Sequence, residues 1–150
     1  RPASAIEPGP DGSNPLSYPL LVQPVLDQHC IRCHAGAKPK GEVALTPEPE
    51  GPYTKSYNAL VKRVPFSAWG NSSFYPNNAE PLTRPDLFGA RASPLMKKLL
   101  AGHQGVKLAE ADVARLATWM DANALFYGTF SPTDQARQRT GEHIAGPDIQ

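Results

Sequence analysis

Cysteine is scarce in this chain, and long apolar or basic runs are missing. The 150 residues contain only two cysteines, which excludes a framework of several disulfides. No apolar stretch approaches the roughly 18 residues that a membrane-spanning helix needs. The 15 Lys and Arg nearly balance the 14 Asp and Glu, and no basic run would track a phosphate backbone. We therefore expect neither a membrane span in this fragment nor a nucleic acid partner.

The beginning of the chain lacks an initiator methionine and a signal peptide, because it opens at Arg1 and Pro2. We interpret it as a mature or excised fragment. Proline and glycine are abundant, with 17 and 12 residues spread along most of the length. Because both residues interrupt regular backbone, long unbroken elements are not expected. We predict a mostly α fold of a few short helices and long Pro/Gly-rich loops.

Composition divides the chain into three parts. Residues 1–16 are largely Pro, Gly, Ser, Asp and Asn, which is typical of a linker or an N-terminal arm. Residues 131–150 are polar with weak periodicity, so we expect a C-terminal tail that wraps the domain or stays mobile. Residues 17–130 form the domain between them.

The first half of that domain predicts little regular structure. Apolar spacing indicates a short helix that leads into Cys30, and Pro24 either starts or kinks it. From residue 35 to about residue 90 the pattern favours loop. Within it we expect a short strand at 42–46 and a helical turn at 57–62, with Ser56 as a candidate cap.

The second half has two better-defined helices. Ser93 is an N-cap residue followed by Pro94 at the first helical position, and Gly102 lies where a C-terminal cap belongs. A further helix is predicted over about 110–124. Its core side carries Val113, Leu116 and Met120, with Ala117 and Trp119 near the edges.

The two cysteines belong to the pentapeptide Cys30-Ile31-Arg32-Cys33-His34, the C-x-x-C-H signature of haem c attachment. Two intervening residues let both sulfurs reach the two vinyl groups on one edge of a porphyrin. The histidine directly after the second cysteine is held under the iron as its proximal ligand. By chance, a chain of this length would contain the pentapeptide on the order of once in a thousand cases or less. We predict one covalent haem c at Cys30, Cys33 and His34.

Three other interpretations of the cysteines compete with this one. A disulfide between Cys30 and Cys33 would close a very small loop and stabilise little. A thioredoxin-like pair would need a surrounding βαβ pattern, which the sequence lacks. A zinc site would need four ligands, and no second ligand cluster has the spacing of a zinc finger.

The sixth ligand of the iron decides the class of function, and His103 is the leading candidate. Gly102 and Gly105 on either side let the backbone turn so that the imidazole can leave the helix end. Met96 and Met120 are the alternatives, since thioether is another common axial ligand, although both lie on expected core faces. An open distal position is a further alternative.

Two more histidines, His29 and His143, are expected to be solvated and inert. If His103 is the distal ligand, two imidazoles without a potential-raising thioether predict a comparatively low reduction potential.

Three stretches, HCIRCHAG, GARASPLMKKLLAGHQGVKL and LATWMDANALFYGTF, resemble the C-terminal cytochrome domain of the hydrazine synthase alpha subunit. They are also similar to monohaem domains of planctomycete-type multidomain proteins, and the resemblance covers roughly residues 17–130. It implies a cytochrome-c-like topology and a bis-histidine haem with His103 as the distal ligand. The marker is S-x-L-x-x-x-L-x-x-G-H, matched by Ser93, Leu95, Leu99, Gly102 and His103.

The resemblance places hydrazine chemistry on a separate haem of a preceding domain, and this chain has no second C-x-x-C-H. We therefore expect an electron-transfer domain rather than an enzyme, serving a redox partner protein or a neighbouring redox domain. Attachment through thioethers takes place outside the bacterial cytoplasmic membrane, so we expect a periplasmic or otherwise exported protein. Two alternatives are a haem-based gas sensor or small-molecule enzyme with a displaceable distal ligand, and a structural haem domain that docks a partner.

Overall fold

The computed structural model describes residues 15–65 and 85–145, and this part of the chain is mostly helical, as predicted. Most of the predicted linker, part of the predicted loop and the end of the predicted tail lie outside the described residues. The helices are α1 (Tyr18–Leu21), α2 (Gln23–His29), α3 (Ile31–His34), α4 (Lys55–Val61), α5 (Gly89–Ala92), α6 (Pro94–Leu100), α7 (Glu110–Asp121) and α8 (Pro132–Arg139). Short 3-10 helices cover Lys40–Glu42, Pro85–Leu87 and His103–Gly105. A hairpin pairs β1 (Pro49–Glu50) with β2 (Tyr53–Thr54) in antiparallel register.

Helices α1 and α2 form the approach to Cys30 and meet at Val22. Pro24 occupies one of the first two positions of α2, where its missing N–H has no intrahelical acceptor to lose. The prediction that this proline starts a helix is confirmed. Helix α2 runs to His29, and the Cys30 N–H still donates to the Leu26 carbonyl over 2.8 Å.

The predicted strand at 42–46 is wrong. The chain reverses at Gly41 and Glu42, whose φ angles are 64° and 57°. The backbone then continues in extended conformation, but it has no strand partner among the described residues. Its polar groups bond to the segment before the turn instead, since the Leu45 N–H donates to the His34 carbonyl over 2.8 Å.

The helical turn predicted at 57–62 exists as the longer α4, and its predicted cap is wrong. Thr54 occupies the N-cap, and its side-chain oxygen accepts from the Tyr57 N–H. Ser56 lies inside the helix, fully buried, and bonds to Gln23. A hydroxyl two residues earlier therefore caps this helix, because Thr54 has the extended backbone that an N-cap requires.

The two helices predicted for the second half are confirmed as α6 and α7. The Ser93 oxygen accepts from the Met96 N–H, Pro94 follows the cap, and Gly102 has a left-handed φ of 88° just after the helix. Helix α7 ends three residues earlier than the predicted 124, since Asp121 is its last residue.

An aromatic cluster around Tyr18 forms the centre of the core. The ring centroid of Tyr18 lies 5.1 Å from that of Tyr57, 5.3 Å from that of Trp119 and 5.5 Å from that of Phe126. The Tyr57 hydroxyl donates to the Ala124 carbonyl over 2.9 Å. Burial raises the pKa of Tyr57 to about 12 and that of Tyr18 further, so both phenols are neutral near pH 7. The cluster joins α1, α4, α7 and the segment after α7.

Helix α8 was not predicted, since its sequence reads as a polar tail. Ser131 caps it through the Asp134 N–H, and Pro132 follows the cap. The buried Gln138 amide accepts from the Gly128 N–H over 3.0 Å and donates to the Leu16 carbonyl over 3.2 Å. Helix α8 therefore packs onto the domain through Gln138.

No helix in residues 15–65 or 85–145 combines the length and apolar character needed to cross a membrane.

Candidate functional site

One helical turn holds the C-x-x-C-H segment together. Cys30 is the junction between α2 and α3, and its carbonyl accepts from the N–H groups of Cys33 and His34, each over 3.1 Å. Residues three and four positions apart share a helix face, so Cys33 and His34 each lie on a face that includes Cys30. All three side chains belong to half-buried residues, and both cysteines are free thiols.

The Cys30 thiol is not tuned for redox chemistry of its own. Burial against the core raises its pKa to about 11, above the ordinary value of a thiol. A reactive cysteine needs the opposite shift, because the thiolate is the nucleophile. The environment of Cys30 therefore counts against a thioredoxin-like pair.

The His34 imidazole is fixed by the segment that follows the 3-10 helix Lys40–Glu42. Its Nδ1 lies 3.0 Å from the Val43 carbonyl oxygen. Because a carbonyl only accepts, Nδ1 carries the hydrogen in this bond, so Nε2 is the nitrogen with a lone pair in the neutral imidazole. The main chain is held as well, since the Leu45 N–H donates to the His34 carbonyl. His34 therefore has the tautomer and the anchoring of a metal-ligating histidine.

His103 follows α6 in a tight reversal. Gly102 and Gly105 have φ angles of 88° and 76°, and Gln104 between them has 52°. Left-handed backbone costs an L-residue roughly 1–2 kcal/mol, and glycine avoids this cost. The two glycines make the backbone turn that the sequence analysis expected, and the His103 side chain is half-buried there.

The fold brings His34 and His103 together although 69 positions separate them in the sequence. Their ring centroids are 6.1 Å apart, and their planes differ by 24°. An imidazole nitrogen lies about 1.1 Å from the ring centroid and binds a metal ion at about 2.0 Å. Two imidazoles on opposite sides of one metal ion therefore have centroids about 6 Å apart. The 6.1 Å centroid separation of His34 and His103 agrees with this value.

Several apolar side chains lie on the elements near the two histidines in the sequence and on α7. They are partly buried, pack against the core and leave apolar surface exposed. They are Val43 after the Lys40–Glu42 turn, Leu95 and Leu99 on α6, Leu108 after the His103 turn and Val113 on α7.

The two methionines named as rival ligands lie in the apolar core. Met96 is 5% exposed and Met120 is 0% exposed, and both belong to the main cluster of buried side chains. This is the core position that their helical pattern predicted. His143 is exposed, also as expected.

His29 corrects the expectation of an exposed, inert side chain. Its Nε2 lies 3.0 Å from a carboxylate oxygen of Asp112, and the two side chains are only 18% and 17% exposed. The pair joins the last residue of α2 to the first turn of α7. The sequence analysis missed it because Asp112 is 83 positions away in the sequence, where no local pattern connects the two residues.

We predict that the His29–Asp112 pair contributes to stability through its own coupling. In a double-mutant cycle of His29→Ala and Asp112→Ala, the coupling free energy should be about 1 kcal/mol in favour of the folded state, because the bond is partly shielded from water. Urea unfolding of the four proteins measures it. Strictly additive effects of the two substitutions would show that the bond contributes nothing.

Sequence reasoning missed two further residues around the site. Val43 acts through its carbonyl, a group that every residue carries, so no side-chain pattern could reveal it. Gln23 is 5% exposed and bonds to the Leu45 carbonyl. A polar residue within an apolar helical pattern was the only available signal for it.

Within the described residues, no group of three or more His, Cys, Asp or Glu side chains is arranged to hold a metal ion. The candidate site is thus a pair of imidazoles beside two thiols. Comparison of this chain with protein-family models, curated proteins and solved structures found no match.

Proposed function

We propose that this chain is an electron-transfer domain with one haem c, attached at Cys30 and Cys33 and ligated by His34 and His103. The observation that carries the proposal is the imidazole pair with centroids 6.1 Å apart. Its second support is the Nδ1–H bond of His34 to Val43, which leaves Nε2 available for a metal. A cytochrome-c-like topology and an exported location belong to the same proposal.

The donor set fits this group. Two free thiols three positions apart would form the thioethers, and two neutral imidazoles would be the axial ligands. The half-buried leucines on α6 and Val43 would supply apolar wall. When bound, the haem would supply a one-electron couple between ferric and ferrous iron. The residues of the chain bind it, orient the two imidazoles and limit access of water.

Mass spectrometry and absorption spectroscopy test this proposal. Protein exported by a host that attaches haem to C-x-x-C-H should have the polypeptide mass plus one haem. Its spectra should be low-spin in both oxidation states and lack the far-red band of a Met-ligated ferric haem. The bare polypeptide mass from such a host would contradict the proposal, and so would a high-spin ferrous spectrum.

A displaceable distal ligand is the second candidate, as in a gas sensor or a small-molecule enzyme. It is favoured by one observation: within the described residues no hydrogen bond holds the His103 ring, whereas the His34 ring is bonded to Val43. Rapid binding of carbon monoxide to the intact ferrous protein would support this candidate. Binding only after His103 is replaced would exclude it.

The charge distribution indicates how a redox partner would recognise the domain. Residues 31–41 and 87–109, which contain His34 and His103, hold seven basic residues and no acidic residue. The rest of the chain holds eight basic and 14 acidic residues. The seven are exposed and form no ion pair within the described part of the chain: Arg32, Lys38, Lys40, Arg91, Lys97, Lys98 and Lys107. A partner protein or neighbouring domain with an acidic surface fits these segments.

We predict that small oxidants of opposite charge respond oppositely to salt. Oxidation of the reduced protein by the anion ferricyanide should slow as salt rises, because the Debye length falls from ~30 Å at 0.01 M to ~8 Å at 0.15 M. Oxidation by a cationic cobalt complex should not slow. Stopped-flow absorption measures both rates.

Two charge reversals provide the control for this prediction. Lys98→Glu should reduce the ferricyanide rate several-fold at low salt, since it lies in one of the basic segments. Lys62→Glu changes the net charge equally, but it lies on the exposed end of α4, outside both segments. Equal effects of the two variants would mean that only net charge matters.

A further inference from the structure

Gln23 is a buried amide whose oxygen and nitrogen are both hydrogen-bonded. It is 5% exposed, and its Oε1 accepts from the Ser56 hydroxyl over 2.6 Å. Its Nε2 donates to the Leu45 carbonyl over 3.1 Å and to the Asp27 carboxylate over 2.7 Å. Leaving a buried polar group unpaired costs about 1–3 kcal/mol, so these bonds hold the amide in one orientation.

The segment that Gln23 holds is the segment that fixes His34. The Leu45 carbonyl accepts from the Gln23 amide, and the Leu45 N–H donates to the His34 carbonyl. Two residues earlier, the Val43 carbonyl accepts from the His34 ring over 3.0 Å. No strand pairs with this segment in the described part of the chain. Its backbone is therefore held by hydrogen bonds to Gln23 and His34 rather than by a neighbouring strand.

We propose that Gln23 is a positioning residue for His34, acting through Leu45 and Val43 to keep the Nδ1–H bond of the ring short. This inference rests on the proposed function. A hydrogen bond from Nδ1 makes an axial imidazole a stronger electron donor, which favours the ferric over the ferrous state. Weakening that bond therefore favours the ferrous state and raises the reduction potential.

Gln138 is a matched control for Gln23. It is also a buried glutamine, 1% exposed, whose amide joins backbone groups of separate segments. It bonds to Gly128, Pro15 and Leu16, none of which bonds to His34. Replacing either glutamine with methionine keeps the length of the side chain and removes its amide.

The experiment compares Gln23→Met and Gln138→Met in the haem-loaded protein, by redox titration and urea unfolding. Both variants should lose stability. Only Gln23→Met should shift the ferric-to-ferrous ratio at fixed potential, several-fold and at most about tenfold toward ferrous, where tenfold equals ~59 mV for one electron. Its low-spin EPR spectrum should change too, because that spectrum depends on the orientation of the imidazole. Equal shifts in both variants, or none in Gln23→Met, would overturn the proposal.

Ser56→Ala is the milder variant, and it tests whether Gln23 positions His34 if Gln23→Met does not fold. It removes the hydroxyl that donates to the Gln23 Oε1 and also bonds to the Thr54 hydroxyl, and it leaves the Gln23 amide in place. The potential should rise by a smaller amount in the same direction, and a loss of stability with an unchanged potential would count against positioning. Failure of the underlying function is distinguishable, since wild-type protein would then lack a covalent haem or a bis-histidine spectrum.

Discussion

Replacing His103 with alanine is expected to convert the loaded protein from a low-spin form to one with a vacant or water-bound distal position. The reason is the 6.1 Å spacing between the His34 and His103 rings, which allows one metal ion between them. The imidazole of His29, the residue before Cys30, is bonded to Asp112. Absorption and EPR spectra in both oxidation states measure the change, which should be complete rather than partial.

Two companion variants make this result specific. His143→Ala removes an exposed histidine and should leave the spectra unchanged. His103→Met should keep a six-coordinate iron, introduce the far-red band of thioether ligation and raise the potential. A fully low-spin spectrum in His103→Ala would show that another side chain is the distal ligand. Met96 and Met120 would then be the first residues to replace by mutation.

Trp119→Ala is expected to be the most destabilising of the substitutions considered. The indole is 2% exposed, contacts Tyr18 edge-on and donates from Nε1 to the Leu125 carbonyl over 3.0 Å. Removing a buried tryptophan costs about 3–5 kcal/mol, to be compared with a total stability of about 5–15 kcal/mol for a domain. Urea unfolding measures the loss.

Trp119→Phe is the control for this prediction. It keeps most of the apolar area and the ring contacts with Tyr18, and it removes the bond to the Leu125 carbonyl. A loss of about 1–2 kcal/mol is expected from the unpaired carbonyl and the smaller ring. If Trp119→Ala cost less than Trp119→Phe, the position of the indole in the core would be wrong.

Capping residues in the sequence predicted helices such as α6, whose ends depend on residues next to them in the chain. Helix α6 begins at Ser93 and Pro94 because a cap hydroxyl and a fixed proline φ act within one turn. The same Ser-Pro signal opens α8 at Ser131 and Pro132, yet that helix was not predicted. It has few apolar positions, and its packing depends on Gln138, whose bonds cross more than 120 positions of sequence.

The short strand expected at 42–46 does not form because the backbone of this segment has other partners. The segment after Glu42 is extended, as its composition suggests, but it bonds to His34 and Gln23 and not to a strand. The interpretation of His29 failed for a related reason. Its solvation was judged from the residues beside it, whereas its partner Asp112 comes from the opposite part of the chain.

The sequence by itself determined that Cys30, Cys33 and His34 lie within five consecutive positions, and α3 places them in one helical turn. It also determined the reversal at His103, because Gly102 and Gly105 take the left-handed backbone there at little cost. Only the tertiary structure decided that the two imidazoles lie close together, with ring centroids 6.1 Å apart. Their separation depends on the packing of segments that are 69 positions apart in the sequence, which no local pattern connects.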